Sequence, residues 1–117
     1  MYSPQLLDHF QNPRNAGDVA DADATAEIEN PACGDVLRLS LKVESGRIAE
    51  IRFKAKGCVP SMACASALTE LVSGRSLIES QNLKRETLIA AVGGLPQAST
   101  HAAQLALDAL SAALRQI

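Results

Sequence analysis

The stretch from Cys33 to Cys58 predicts one hairpin, and that hairpin fixes much of what the chain can become. Leu37, Leu39, Leu41 and Val43 alternate with Arg38, Ser40, Lys42 and Glu44, and Ile51, Phe53 and Ala55 alternate with Arg52, Lys54 and Lys56. A period of two gives each strand one buried and one wet face. Ser45-Gly46 between the runs supplies the turn. Antiparallel pairing returns the chain to its own start, so the thiols of Cys33 and Cys58 are expected to meet. Each adjoins a glycine at a strand end, in Pro31-Ala32-Cys33-Gly34-Asp35 and in Gly57-Cys58, where loop rather than core is expected. Asp35 sets a carboxylate two residues after the first thiol, and His101, opening the last helical pattern, offers an imidazole. Thiolate, carboxylate oxygen and imidazole together are a ligand set for a transition metal.

Around the hairpin the elements follow from local signals. Ser3-Pro4 caps and starts a first helix with Leu6, Leu7 and Phe10 on one face, stopped at Asn12-Pro13. Residues 24 to 29 alternate as a short strand. From Ser61 the period changes to about 3.6 residues, with Met62, Ala65, Leu68, Leu71 and Val72 forming a stripe that ends at Gly74. Ser76 and Glu79 form a capping box for a short helix, another covers residues 84 to 91, and Pro96 sets up a last, alanine-rich helix. Strands in the first half and helices in the second predict an α+β fold: a three-stranded antiparallel sheet with helices packed on one face.

A length of 117 residues is one domain's worth of chain, residues 1–117, large enough for a core without disulfides. A net charge of -2, with no Trp, one Tyr and two Phe, provides neither a basic patch nor a stacking platform, which argues against nucleic acid. No apolar run approaches a membrane span and no signal-peptide pattern opens the chain, so the cytoplasm is the expected compartment. Three cysteines are an odd number and favour free thiols or metal ligands over a secreted disulfide framework.

Other roles stay open for several of these residues. Asp35 also suits a turn cap, and His101 a solvated first-turn histidine. Cys64, at helical spacing from Leu68 and Leu71, suits either the core or a third thiol at the site. His9 reads as structural or solvent-facing. An enzyme with a Cys33 or Cys58 nucleophile and His101 as base ranks last, because no nucleophile elbow, phosphate loop or C-x-x-C motif accompanies it. No enzymatic activity is expected.

The chain resembles the IscU/NifU-type iron-sulfur cluster assembly scaffolds along nearly its whole length. The resemblance is carried by Tyr2-Ser3, Leu7-Asp8-His9-Phe10, Asn12-Pro13-Arg14-Asn15, Pro31-Ala32-Cys33-Gly34-Asp35, Gly57-Cys58, and Leu95-Pro96 ahead of His101. It implies that Cys33, Asp35, Cys58 and His101 bind zinc or iron, or hold a transient [2Fe-2S] cluster for transfer to apo-proteins. A cysteine desulfurase is implied as sulfur donor. In the family a His-Cys pair opens the last helix, whereas here the pair is His101-Ala102. The alternative implied is a zinc-binding member without scaffold activity, acting as sulfur acceptor or interaction partner of the assembly machinery. Chaperone recognition in part of the family uses Leu-Pro-Pro-Val-Lys; this chain has Leu95-Pro96-Gln97-Ala98-Ser99, so an Hsp70-type chaperone is not carried over.

Overall fold

The computed structural model describes residues 2–31 and 34–117. Its elements run α1 (Pro4–Gln11), β1 (Ala24–Asn30), β2 (Asp35–Glu44), β3 (Arg47–Lys56), α2 (Val59–Val72), α3 (Leu77–Gln81), α4 (Arg85–Ala91), a 3₁₀ turn (Gln97–Ser99) and α5 (His101–Leu114). The sheet is antiparallel throughout, in the order β1-β2-β3. This is the expected α+β architecture.

The alternation read from the sequence becomes the core face of the sheet. Leu39 stands opposite Ala26 on one side and Phe53 on the other, and Leu41 opposite Ala24 and Ile51. All six are buried beneath α2 and α5, together with Leu68, Val72, Ala106 and Leu110. Burying one such leucine contributes about 1.5–3 kcal/mol. The alanines of α5 let it lie close to the strands. Ile48 departs from the simple pattern: it is fully buried although it lies on the opposite parity from Ile51. A bulge between Lys42 and Val43, where Val43 pairs with Ile48 while Lys42 pairs with Glu50, resets the phase and turns Ile48 inward.

The opposite sheet face is only partly wet. Val19 donates its N–H to the buried Ser40 hydroxyl at 2.8 Å, and Asp18 pairs with Arg38 at 3.1 Å and Lys54 at 2.9 Å. The segment after α1 therefore crosses this face. It also covers the outer edge of β3, where Phe53 N–H donates to Asn15 and Gly17 N–H to Phe53; a covered edge offers no template for pairing with another chain. Ser45 (φ 53°) and Gly46 (φ 72°) both take the left-handed conformation that a two-residue hairpin turn requires.

His9 is structural. Its side chain is buried between α1 and α2, with Nδ1 2.8 Å from the Ser66 hydroxyl, which itself accepts the Arg14 N–H at 2.8 Å. The neutral ring with its proton on Nε2, 3.8 Å from Glu70, satisfies all these groups. Burial lowers the His9 pKa below its ordinary 6.5, and Arg14 lowers it further, against the opposing pull of Glu70 and Asp8. The unfolded chain thus binds a proton first as pH falls, so the His9 contribution to stability declines below about pH 6.5 and levels off beneath the folded-state value. Thermal unfolding of His9→Gln between pH 7 and 5 is expected to fall less steeply than that of the unaltered chain. Parallel slopes would remove His9 from the account.

Candidate metal centre

Three elements end at one point. β2 begins with Asp35, β3 delivers Gly57 and Cys58 beside it because Lys56 pairs with Val36, and α5 begins with His101. Cys58 is also the residue that caps α2, so its thiol stands at the positive end of a 14-residue helix. The thiolate is the form that binds metal. The Asp35, Cys58 and His101 ligand atoms all lie within 4.8 Å of one another.

Asp35 is the hub of the group, and it is 2% exposed. Its Oδ1 accepts the Cys58 N–H at 3.0 Å, and its Oδ2 accepts the Ser61 hydroxyl at 2.8 Å and the Cys58 thiol at 3.4 Å. His101 Nε2 lies 3.6 Å from the same Oδ2. Burial by itself pushes the Asp35 carboxyl up. The Ser61 hydrogen bond, those from the Cys58 N–H and thiol, and the charge of His101 together outweigh it and hold the carboxyl below its ordinary value. The carboxylate is consequently ionised at neutral pH, as a metal ligand must be.

The spacing suits a small ion. Around a tetrahedral zinc, ligand bond lengths put a sulfur and an oxygen about 3.5 Å apart, and a nitrogen and an oxygen about 3.3 Å apart. The observed separations of 3.4 Å and 3.6 Å agree to within a few tenths of an ångström. Cys58 and His101 are each only partly buried, so the ligands remain reachable from solvent while Asp35 anchors them from below.

Gly57 makes the close approach possible. Its φ of +153° lies in the region that favours glycine, and a Cβ there would stand 2.1 Å from Asp35 Oδ1 and 3.0 Å from the Asp35 Cα. The glycine is thus part of the site, a role that its sequence position beside Cys58 hinted at without specifying.

Of the four residues read as ligands, the structure brings Asp35, Cys58 and His101 together, and Cys33 lies outside the described residues. Cys64 is a core residue: it is fully buried on α2, and burial, with a smaller contribution from Cys58, pushes its thiol up to about 12. Ala102 is likewise fully buried and carries no ligand atom. Alkylation of the native chain with iodoacetamide at pH 7.5 is therefore expected to spare Cys64, which should react only after denaturation; rapid native labelling of Cys64 would contradict its placement. Ser61 is the site residue that sequence reasoning passed over. Its signal was the Cys58-x-x-Ser61 spacing, which puts both side chains on one turn of the helix.

The family model described as NifU-like N terminal domain matches residues 1–117. The iron-sulfur cluster assembly scaffold protein IscU of Azotobacter vinelandii is 44% identical over 118 residues, covering 97% of this chain and 91% of that protein. IscU 1 of Archaeoglobus fulgidus, also called an iron-sulfur cluster assembly scaffold protein, is 41% identical over 114 residues, covering 97% and 74%. Among solved structures, the N-terminal part of a nitrogen-fixing NifU-like protein from Brucella abortus superposes with a TM-score of 0.81 over 98% of this chain and 92% of that one. Its 20% identity makes the likeness one of fold.

Proposed function

Because this chain belongs to the family of NifU-like N-terminal domains, we propose that it is an iron-sulfur assembly scaffold that holds a transient [2Fe-2S] cluster on Cys33, Asp35, Cys58 and His101. The observation that carries the ligand assignment is the convergence of Asp35, Cys58 and His101 within 4.8 Å at the meeting point of β2, β3 and α5. The cluster is cargo. Thiolates bind iron and zinc strongly, while the carboxylate and imidazole, at a site open to solvent, give ligands that can exchange and let the cargo leave. The sulfur comes from a cysteine desulfurase and the cluster passes to recipient apo-proteins.

Anaerobic incubation with ferrous iron, L-cysteine, a desulfurase and a dithiol reductant, which converts the delivered sulfane sulfur to sulfide, tests this. The expected product is a visible chromophore with equal iron and acid-labile sulfide, transferable to an apo-ferredoxin. A second reading is favoured by the burial of Cys64 and the absence of a ligand atom on Ala102, which leave Cys33 and Cys58 as the thiols of the site. In it the chain binds zinc and accepts sulfur without building a cluster. Zinc uptake with no labile sulfide under the same conditions would favour that reading and count against the scaffold.

A further inference from the structure

We infer that Ser61 is a positioning residue for this site, holding the Asp35 carboxylate and the Cys58 thiol in the geometry that captures metal. The inference rests on the ligand assignment just proposed. Ser61 is the third residue of α2 and 5% exposed, and its hydroxyl oxygen lies 2.8 Å from Asp35 Oδ2 and 3.2 Å from Cys58 Sγ.

A serine hydroxyl has one proton to give and two lone pairs to accept with. With the thiol protonated, Ser61 donates to Oδ2, and the single S–H proton of Cys58 faces two acceptors, Oδ2 at 3.4 Å and the Ser61 oxygen at 3.2 Å. The other carboxylate oxygen is already held by the Cys58 N–H at 3.0 Å. Both oxygens are then tied, and the plane of the carboxylate cannot turn. The oxygen that Ser61 fixes is the one facing both Cys58 Sγ and His101 Nε2. When metal binds, the thiol gives up its proton, and Ser61 keeps its own proton as a donor between two anionic ligands.

The helix itself does not need this hydroxyl. Cys58 occupies the cap position of α2, and alanine is a better helix former than serine at an interior position. The hydroxyl is turned instead to the two ligands. Partners that orient ligands in this way typically govern metal affinity by 10–100-fold.

The test is anaerobic titration of the full chain with cobalt(II), followed by the sulfur-to-cobalt charge-transfer absorption, with Ser61→Ala and Ser61→Thr beside the unaltered protein. Far-UV circular dichroism and thermal unfolding of each metal-free variant establish that it is folded. Ser61→Ala is expected to bind roughly 10-fold more weakly, yet to reach the same charge-transfer intensity at saturation, because the thiolates still ligate. Ser61→Thr, which restores the hydroxyl, is expected to recover most of the affinity. A folded Ser61→Ala that binds as tightly as the unaltered chain overturns the positioning role alone, as does a folded Ser61→Thr that binds no better than Ser61→Ala. If the unaltered chain takes up no cobalt, the ligand assignment falls, and the role of Ser61 falls with it.

Discussion

Gly57→Ala is expected to weaken metal binding by more than about 100-fold while leaving the sheet in place. The added methyl would stand 2.1 Å from Oδ1 of Asp35, 2.7 Å from its Cγ and 3.0 Å from its Cα. A flexible side chain could swing away from such a contact, but Asp35 cannot. Its carboxylate is tied to Cys58 N–H, Ser61 and the thiol, and its Cα belongs to β2 in register with Asn30. Either the carboxylate is expelled from its hydrogen bonds or the end of β3 moves away and takes Cys58 with it. The residue would also have to hold a φ of +153°, which glycine adopts without cost and alanine does not. Overpacking and backbone strain together cost about 3 kcal/mol, a fall in Tm of roughly 10 to 15 °C. Zinc affinity, measured by competition with a chromogenic chelator, should drop by more than 100-fold, beyond the loss of any single orienting partner. By contrast, Gly34→Ala meets nothing within 4 Å and carries only the strain of its positive φ, so it serves as the control. Equal losses in the two variants would mean that the Gly57 contact with Asp35 is not what assembles the site.

Asp35→Ala should move two readouts in opposite directions. Without the carboxylate, the Cys58 N–H and the Ser61 hydroxyl lose their acceptor in a buried setting, and His101 loses the anion 3.6 Å away. Leaving such donors unpaired costs about 1–3 kcal/mol. Because the folded-state pKa of Asp35 is lowered, its contribution is fully present above the ordinary carboxylate range and disappears as pH falls through the lowered value. The variant is therefore less stable at pH 7, and the difference narrows in acid. Equilibrium zinc affinity falls with the loss of a ligand. An assembled cluster, however, should persist longer, because the hard oxygen that exchanges with solvent or an incoming ligand has gone. Decay of the visible absorbance under anaerobic chelator challenge measures this, and faster loss in the variant would refute the release role given to Asp35.

Much of this arrangement was legible in the chain because it rests on short-range rules. The period-two runs on either side of Ser45-Gly46 specified the hairpin, and the hairpin alone brought Asp35 to Cys58. Ser3, Ser76 and Glu79 marked their helix starts, and the structure puts each in its capping bond. What escaped were features that exist only once distant segments meet. The bulge that turns Ile48 inward shows in the chain only as a change of parity between Ile48 and Ile51, and the pairing with β2 places it between Lys42 and Val43. Ser61 reads as an ordinary first-turn residue until β2 and α2 place Asp35 above it. The fate of Cys64 was ambiguous, since a cysteine at helical spacing suits both core and ligand, and only its packing decided. His101 was named as a candidate ligand from its place at the start of the last helix and from the family resemblance; its approach to Asp35 exists only because the long excursion through α3 and α4 returns the chain to the end of the sheet.

X-ray absorption of the zinc-loaded chain tests whether the site binds metal through a mixed set of Cys33, Asp35, Cys58 and His101. Two sulfur neighbours at about 2.3 Å and two nitrogen or oxygen neighbours at about 2.0–2.2 Å are expected, with one sulfur lost in Cys58→Ala. A first shell without sulfur, or one that is unchanged by Cys58→Ala, would contradict that ligand set.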